Sequence, residues 1–248
     1  MSDHSEHDPA DVDPEKVVPK EGLGTGLEQT ALPALFFSTK SKIWGDKSGN
    51  ELEPVGRDYK SSGLKNKVML KDGFRCMFCG FHSSHNQIHS LSDNHRDIRE
   101  QNLRVADHLC HGWQHLGELG DGNAVVAFLP GLAAQDVNHL QRSIMIALQA
   151  DDPSVRADAK KILNWLGSHR RYVQDAWGTF APAVFAQAMV RQDDGDKGVR
   201  ELVFEDLAIV FNPGPYSQVA ALWASESRSS YPVAKWSEVY FSVMNPPA

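Results

Sequence analysis

Cysteine is scarce in this 248-residue sequence, which contains only three residues of this type. They are Cys76, Cys79 and Cys110, an odd number within one stretch of the chain. Small secreted domains that depend on disulfides usually carry cysteines in larger, even numbers, whereas free thiols persist in reducing compartments. The cysteine count therefore argues against a disulfide framework and favours a cytoplasmic protein.

Long hydrophobic runs are also missing from the sequence. The longest apolar runs, such as residues 124–129 and 144–148, are far too short to span a bilayer. The first residues lack the basic and then apolar pattern of a signal peptide. We see no internal repeat, heptad run or glycine-rich phosphate loop, so the sequence favours a globular cytoplasmic protein.

Positive charge is scarce relative to negative charge, and the imbalance lies at one end of the chain. The net charge is −7, and residues 1–28 contain eight acidic and two basic side chains, a net of −6. The other 220 residues therefore carry a net charge of −1. Such a body lacks the basic surface that sequence-independent DNA binding requires. Because the acidic end has almost no apolar periodicity, residues 1–30 are predicted to form a disordered tail.

The stretch from residue 76 to residue 115 contains all three cysteines and seven of the eleven histidines. Cys76 and Cys79 form a C-x-x-C knuckle, in which a tight turn can aim both sulfurs at one point. Cys110 offers a third thiolate farther along the chain. Structural zinc sites use four such ligands, usually from two short pairs that the fold brings together. The spacing predicts one structural zinc ion, with three ordinary buried cysteines as the alternative.

The fourth zinc ligand is ambiguous at the level of the sequence. Asp107 lies three residues before Cys110, so a D-x-x-C pair there would mirror the C-x-x-C knuckle. His108 and His111 flank the same cysteine, and imidazole is in general the better zinc ligand. We take Asp107 as the predicted fourth ligand, and the two histidines remain open.

Hydrophobic periodicity divides the chain into a strand-containing first part and a helical second part. The pattern predicts an α+β protein with a disordered tail (1–30), a zinc-stapled domain (31–130) and a helical region (131–248) packed on it. The C-terminal segment of the helical region is rich in aromatic residues, which we expect to pack on the helices, with a partner-binding surface as the alternative. Predicted strands cover residues 34–38, 87–91 and 124–129, and predicted helices cover residues 60–71, 105–115, 134–148, 182–191 and a segment that begins at residue 153 behind an Asp152 cap.

Residues 67–116 resemble the ββα-metal, HNH-type nuclease domain. The resemblance rests on the order of four motifs: the C-x-x-C knuckle, a strand and turn, Q-N-L in place of E-N-L, and D-x-x-C-H in place of C-x-x-C-H. It implies that residues 31–130 form an HNH-like ββα module. In that family His89 and His111 would bind the catalytic metal, with His115 as a nearby substitute, and Asn102 would match the conserved asparagine.

The same comparison with the HNH family exposes a missing catalytic group. The family's general base, a histidine, falls on Ser90, whose hydroxyl cannot take up a proton near neutral pH. His95 is the alternative general base, because a shift of the turn would bring it near the position of Ser90. We therefore expect a protein that is not an enzyme, with a zinc ion that stabilises the fold.

A second resemblance covers residues 34–190. The segments LPGLAAQDVNHLQRSIMIAL and WGTFAPAVFAQAM are similar to the DotN (IcmJ) family of type IVB secretion systems, although Gly131 stands where an acidic residue is common. The resemblance implies a non-enzymatic subunit or adaptor that binds the type IV coupling protein ATPase and other adaptor subunits. It also implies a cytoplasmic location, peripheral to the inner membrane through that complex, and help in presenting effector substrates. Neither a small-molecule substrate nor nucleic acid is expected as a partner.

Two other functions remain open at this stage. The first is a metal-dependent endonuclease that uses His89, Asn102 and His111. The second is a noncatalytic DNA-binding zinc module, which would show a steep dependence of affinity on salt.

Overall fold

The structure is a computed structural model that describes residues 32–40, 63–92, 97–190 and 203–230. The acidic tail and the turn that carries His95 fall outside these ranges. So do two further elements that turn residues and polar composition predict: a hairpin at residues 40–49, of which only residue 40 is described, and a polar loop at residues 193–197. Most of the aromatic C-terminal segment also lies outside the described residues. It contains Tyr231, Trp236, Tyr240 and Phe241.

The first part of the chain builds a helix, a hairpin and a second helix in that order. Helix α1 spans Leu64–Lys71, strands β1 (Gln87–Ser90) and β2 (Leu103–Ala106) pair antiparallel, and helix α2 spans His108–Gln114. The register pairs His89 with Arg104. Apolar side chains of α1 pack on the hairpin and form a small core of their own. This core contains Leu64, Val68, Met69, Ile88, Leu103 and Val105.

The start of helix α2 corrects one expectation. The sequence predicted a helix from residue 105, but Val105 belongs to β2 and is fully buried. The chain leaves the strand at Asp107, whose carboxylate accepts hydrogen bonds from the backbone N–H groups of Leu109 and Cys110. Such N-caps satisfy amide groups that have no partner inside the helix. The cap, and not the apolar periodicity, therefore decides where the helix begins.

The second sheet joins two segments that are far apart in the sequence. Strand β3 (Ala124–Phe128) pairs antiparallel with strand β4 (Leu207–Phe211), and all five residues of β4 are buried. The pairing confirms the strand expected at residues 124–129. It also connects a strand before residue 130, the expected end of the zinc-binding domain, with a strand in the expected helical region. The division at residue 130 stays a prediction, but the two regions share a sheet.

Helices make up most of the described chain after residue 130, as the periodicity predicted. One helix begins at Pro153 behind Asp152, whose carboxylate accepts a hydrogen bond of 2.7 Å from the N–H of Ser154. The helices over Arg170–Trp177 and Ser217–Ser230 were not predicted. The helices of this region are α3 (Ala134–Ala147), α4 (Pro153–Ser168), α5 (Arg170–Trp177), α6 (Pro182–Val190) and α7 (Ser217–Ser230).

Helix α3 turns an unexpectedly polar face toward the interior. The predicted apolar stripe included Leu140, but Leu140 is exposed, while Asn138, Gln141 and Arg142 are buried. Gln141 explains part of this polarity: its amide donates to the carbonyl of Ile209 at 2.8 Å and accepts from the N–H of Phe211 at 2.7 Å. The side chain thereby holds the middle of α3 against strand β4. Asn138 and Arg142 face the cysteine cluster described below.

The main core unites the cysteine knuckle with the helices. It includes all three cysteines together with side chains from α2, α3, both strands of the second sheet and α7. Trp223 of α7 is fully buried in it, so core packing is confirmed for this aromatic residue of the C-terminal region. Among the helices of the described ranges, none has the length and apolar character needed to cross a membrane.

Candidate metal centre and the neighbouring histidine cluster

Three thiols and one carboxylate converge at a single point in the main core. The Sγ atoms of Cys76, Cys79 and Cys110 and a carboxylate oxygen of Asp107 all lie within 4.8 Å of one another. All four side chains are buried, and Asp107 and Cys110 have no exposed surface. Four sulfur and oxygen donors at this spacing fit a tetrahedral ion such as zinc. We call this group the Cys3Asp cluster, and it could hold a metal ion.

The knuckle residues owe their position to a tight turn. The N–H of Gly80 donates to the carbonyl of Cys76 at 2.8 Å, and the N–H of Cys76 donates to the carbonyl of Phe81 at 2.9 Å. Gly80 has a φ of +71°, a left-handed conformation that glycine adopts without the steric cost of a Cβ atom. The N–H of Met77 donates to the carbonyl of Val105 at 2.8 Å, which anchors the turn on strand β2. The two sulfurs of the knuckle therefore face the start of helix α2.

The other two members of the cluster lie at that helix start. Asp107 is the N-cap of α2 and Cys110 is its third residue, so the D-x-x-C spacing places both side chains on one side of the first turn. The two carboxylate oxygens of Asp107 have different surroundings. Oδ1 accepts from the N–H of Leu109 at 2.9 Å and from Arg142 at 3.0 Å, whereas Oδ2 lies 3.0 Å from the sulfur of Cys79. One oxygen is thus held by the protein while the other faces the thiols.

The two histidines that competed with Asp107 for the fourth position point elsewhere. The Nε2 atom of His108 lies 2.9 Å from the carbonyl oxygen of His85. The Nε2 atom of His111 lies 3.0 Å from the Nε2 atom of His115. Within the described residues, Asp107 is therefore the one candidate fourth ligand that the fold brings to the three sulfurs.

The ionisable groups of the Cys3Asp cluster have pKa values that are shifted in different directions. Burial raises the pKa of Cys110, and so do its hydrogen bonds with Cys76 and Cys79. Burial would raise the pKa of Cys76 as well, but hydrogen bonds from the other two thiols lower it to about 5. Burial also opposes ionisation of Asp107, whose pKa is nevertheless held well below its usual range by Arg142 and by hydrogen bonds from the thiols. A bound cation would favour ionisation of the three thiols, because it would replace their protons.

A second cluster consists of three imidazoles. His89 of strand β1, His111 of helix α2 and His115 just after that helix have ring nitrogens within 4.8 Å of one another. His111 and His115 are four residues apart and so lie on one side of the helix end. Three imidazoles are a familiar ligand set for transition metals. The sequence pointed to His89 and His111, with His115 as a substitute, and the fold brings all three together.

The side chain of Lys40 lies at the edge of this histidine cluster. Its ammonium group lies 3.4 Å from the Nε2 atom of His89 and donates to the carbonyl oxygens of Ser90 at 3.2 Å and Leu91 at 2.8 Å. The backbone carbonyl of Lys40 also lies 2.6 Å from the Nδ1 atom of His115. Sequence reasoning missed this contact, because nothing near Lys40 in the sequence marks it as a neighbour of strand β1.

Ser90 and Asn102 together hold the end of strand β1. The amide of Asn102 donates to the hydroxyl of Ser90 at 3.1 Å and to the carbonyl of Asp97 at 2.8 Å, and its oxygen accepts from the N–H of Ser92 at 2.9 Å. Asn102 thus fixes the start of the loop that follows the strand. A serine hydroxyl is not itself a general base near neutral pH. His95, the suggested replacement, lies outside the described residues.

The carboxylate of Glu226 on helix α7 also contacts the knuckle region. It accepts hydrogen bonds from the hydroxyl groups of Ser83 at 2.6 Å and Ser84 at 2.7 Å, and from the N–H of Ser84 at 3.1 Å. Burial opposes ionisation of this carboxyl group, but the hydrogen bonds from the two serines lower its pKa below the usual value. The loop after the knuckle is therefore attached to α7, a contact between residues far apart in sequence that no local pattern predicts.

Comparisons with known proteins bear on the resemblance to DotN. No protein-family model matches the sequence. The chain is 23% identical over 176 residues to the type 4 apparatus protein DotN of Legionella pneumophila subsp. pneumophila, and the match covers 68% of this chain and 82% of that protein. The chain is thus a distant homologue of a secretion apparatus component, which confirms the resemblance to DotN, whereas the resemblance to the HNH domain stays a prediction.

Proposed function

We propose that this distant homologue of DotN is a zinc-binding, non-enzymatic subunit of a type IVB secretion coupling complex. The observation that carries the proposal is the extent of the similarity, which covers 82% of DotN and is not confined to one motif. In this proposal the chain binds the coupling ATPase and adaptor subunits and helps to present effector substrates. It works on the cytoplasmic side of the inner membrane and reaches the membrane only through its partners.

The proposed role of zinc is to stabilise the fold. Catalytic zinc sites usually have three protein ligands and keep a fourth position for water or substrate. The Cys3Asp cluster already offers four ligand atoms, and the side chains that carry them are buried in the main core. A metal ion held there would join the knuckle to helix α2. We therefore propose one structural zinc ion bound by Cys76, Cys79, Asp107 and Cys110, inside an HNH-like ββα module.

A metal-dependent nuclease remains the second candidate, and one observation favours it: His89, His111 and His115 converge as a metal site would require. Two observations weigh against it. Ser90 stands where the general base belongs, and the ammonium group of Lys40 lies 3.4 Å from His89. A positive charge at that distance opposes the binding of a divalent cation.

Co-purification would test the proposed partner. The full chain and the cytoplasmic part of the coupling ATPase from the same secretion apparatus would be expressed together and analysed by size-exclusion chromatography. We expect the two proteins to elute as one complex that contains zinc. Separate elution at micromolar concentration, with the chain folded and loaded with zinc, would contradict the assignment to the coupling complex.

A cleavage assay separates the two candidates. We expect no nicking of supercoiled plasmid by the purified chain in Mg²⁺, Mn²⁺ or Ni²⁺. If cleavage occurs and His89→Ala abolishes it while His108→Ala does not, the nuclease assignment is correct and our interpretation of Ser90 is wrong.

A further inference from the structure

Helix α3 presents two polar side chains to the Cys3Asp cluster. The amide of Asn138 donates to the sulfur of Cys110 at 3.3 Å. The indole N–H of Trp113 donates to the other end of the same amide at 3.1 Å, so the NH2 group of Asn138 is turned toward the sulfur. Arg142 lies one helical turn further along α3, on the same side. Both residues lie within residues 138–142, an N-H-L-x-R segment of the stretch LPGLAAQDVNHLQRSIMIAL.

The guanidinium group of Arg142 is buried against the cluster. Its side chain is only 3% exposed, and its Nη2 atom lies 3.0 Å from Asp107 Oδ1 and 3.7 Å from Cys79 Sγ. The group also stacks on the ring of Phe81, 3.8 Å from the ring centroid. Arginine keeps its charge in such surroundings, and its planar group can contact several partners at once.

His139 also contacts this guanidinium group. The Nη1 atom of Arg142 donates to His139 Nδ1 at 2.9 Å. Because Nδ1 accepts this hydrogen bond, the ring proton lies on Nε2, which is 3.1 Å from the carbonyl oxygen of Cys79. The guanidinium group is therefore fixed from two sides, with one edge on the carboxylate and the other on a neutral imidazole that contacts the knuckle.

The charges of the cluster explain why a buried cation is needed beside it. Three thiolates and one carboxylate carry four negative charges, and a zinc ion would supply two positive ones. Two negative charges would then remain in the core, where an uncompensated charge is strongly unfavourable. The guanidinium group of Arg142 reduces this excess to one. The amide of Asn138 adds a hydrogen bond to the sulfur of Cys110.

We propose that Arg142 is the charge-neutralising positioning residue of the metal centre, and that it holds Asp107 so that only Oδ2 is offered to the ion. In this arrangement the N-H-L-x-R segment of helix α3 is a part of the metal centre that contributes no ligand. The inference rests on the proposed zinc site and is independent of the proposed role in secretion. Groups that orient metal ligands in this way typically change metal affinity by about 10- to 100-fold.

The test measures zinc affinity in the purified full chain, by competition with a chromophoric chelator at fixed pH. We expect Arg142→Met to weaken zinc binding about 10- to 100-fold and Arg142→Lys, which keeps the charge but loses the planar contacts, to have an intermediate effect. The matched control is Arg156→Met on helix α4. Arg156 donates to the backbone carbonyls of Ala150 and Asp151, away from the cluster, so its loss should leave zinc affinity unchanged.

A double-mutant cycle distinguishes charge compensation from packing. Asp107→Asn removes one negative charge but keeps the shape of the side chain. Arg142→Met should therefore cost less zinc affinity in the Asp107→Asn background than in the native chain. A cobalt-substituted sample should retain the thiolate-to-cobalt absorption in every variant, because the three sulfurs are unchanged.

The experiments distinguish an error in the zinc site from an error in the role of Arg142. If the native chain binds no zinc, the zinc site itself is wrong. If the native chain binds zinc and Arg142→Met binds it within about twofold as tightly, or if the effects of the two substitutions are simply additive, our assignment for Arg142 is wrong. A Met variant that does not fold is then studied together with Asp107→Asn, where the reduced charge should restore folding. Failure to fold in that background also overturns the assignment.

Discussion

Replacement of Cys76 by serine is the sharpest test of the structural role of the metal. Cys76 is 1% exposed and belongs both to the Cys3Asp cluster and to the main core. Serine has nearly the same shape, so the substitution removes a zinc ligand without opening a cavity. Any large loss of stability must then come from weaker metal binding or from burial of the serine hydroxyl. The two contributions can be compared in free energy.

The expected magnitude follows from the energetics of structural zinc. Zinc binding contributes about 10–16 kcal/mol in small zinc-dependent domains, which corresponds to about 3 kcal/mol for each of four ligands if they contribute equally. A loss of about 3 kcal/mol weakens zinc binding by roughly a hundredfold. For a domain of this size, about 1 kcal/mol lowers the midpoint of thermal unfolding by roughly 2–4 °C. We therefore expect Cys76→Ser to lower that midpoint by about 6–12 °C.

Differential scanning fluorimetry with and without a strong chelator would measure this effect. The chelator should lower the unfolding midpoint of the native chain further than Cys76→Ser does, because it removes all of the zinc binding energy, and it should also lower the midpoint of the mutant to the extent that the mutant still binds zinc. Elemental analysis of both proteins would show whether zinc is lost. If the native chain contains zinc and the mutant lacks it, yet both unfold within about 2 °C of each other, zinc does not stabilise the fold and our reasoning fails.

Three further experiments test other features of the structure. Asp107→Ala should weaken zinc retention in a chelator competition more than His108→Ala, because His108 faces the carbonyl of His85; the reverse order would make a histidine the fourth ligand. Lys40→Met should raise the number of Co²⁺ ions bound per chain from one toward two, because it removes a positive charge 3.4 Å from His89; an unchanged stoichiometry in calorimetry would contradict this. Gly112→Ala should destabilise the chain by about 1–3 kcal/mol in urea unfolding, since the new Cβ atom would lie 2.8 Å from the ring of Phe211. A native midpoint in Gly112→Ala would show that the ring can move aside.

Local sequence signals predicted the parts of this fold that local chemistry controls. The C-x-x-C and D-x-x-C spacings identified a group of four side chains that the fold does bring together. The start of helix α4 was predictable because an aspartate cap followed by proline favours a helix at that point, whatever packs against it. Strand β3 was predictable as a β-branched, apolar run, although nothing in the sequence indicated that its partner strand lies about 80 residues away.

Other expectations were wrong because long-range contacts override local preference. Residues 34–38 were expected to form a strand, but only Thr39 makes an isolated bridge, with His115. The N–H of Ser38 donates to the carbonyl of Trp113, and the N–H of Lys40 donates to that of Gln114, both at 2.9 Å. This segment therefore supplies donors to carbonyl groups at the end of helix α2. A sequence pattern cannot predict these hydrogen bonds, because they depend on where the fold places the end of helix α2.

The polar face of helix α3 shows how the Cys3Asp cluster constrains the sequence beyond its own four side chains. Periodicity alone treats Asn138 and Arg142 as solvent-facing residues, because their side chains are polar. Both are buried, since one side of this helix lies against sulfur and carboxylate groups that need hydrogen bonds and positive charge. A metal centre built from three thiolates and a carboxylate therefore requires positive charge from a neighbouring element.

The histidine cluster contains imidazoles, which are neutral as ligands and do not require a compensating charge. In the proposed zinc site, this difference in charge accounts for the burial of Arg142 beside the sulfurs, and it predicts that exchange of Asp107 for a neutral ligand would relax the need for arginine at that position.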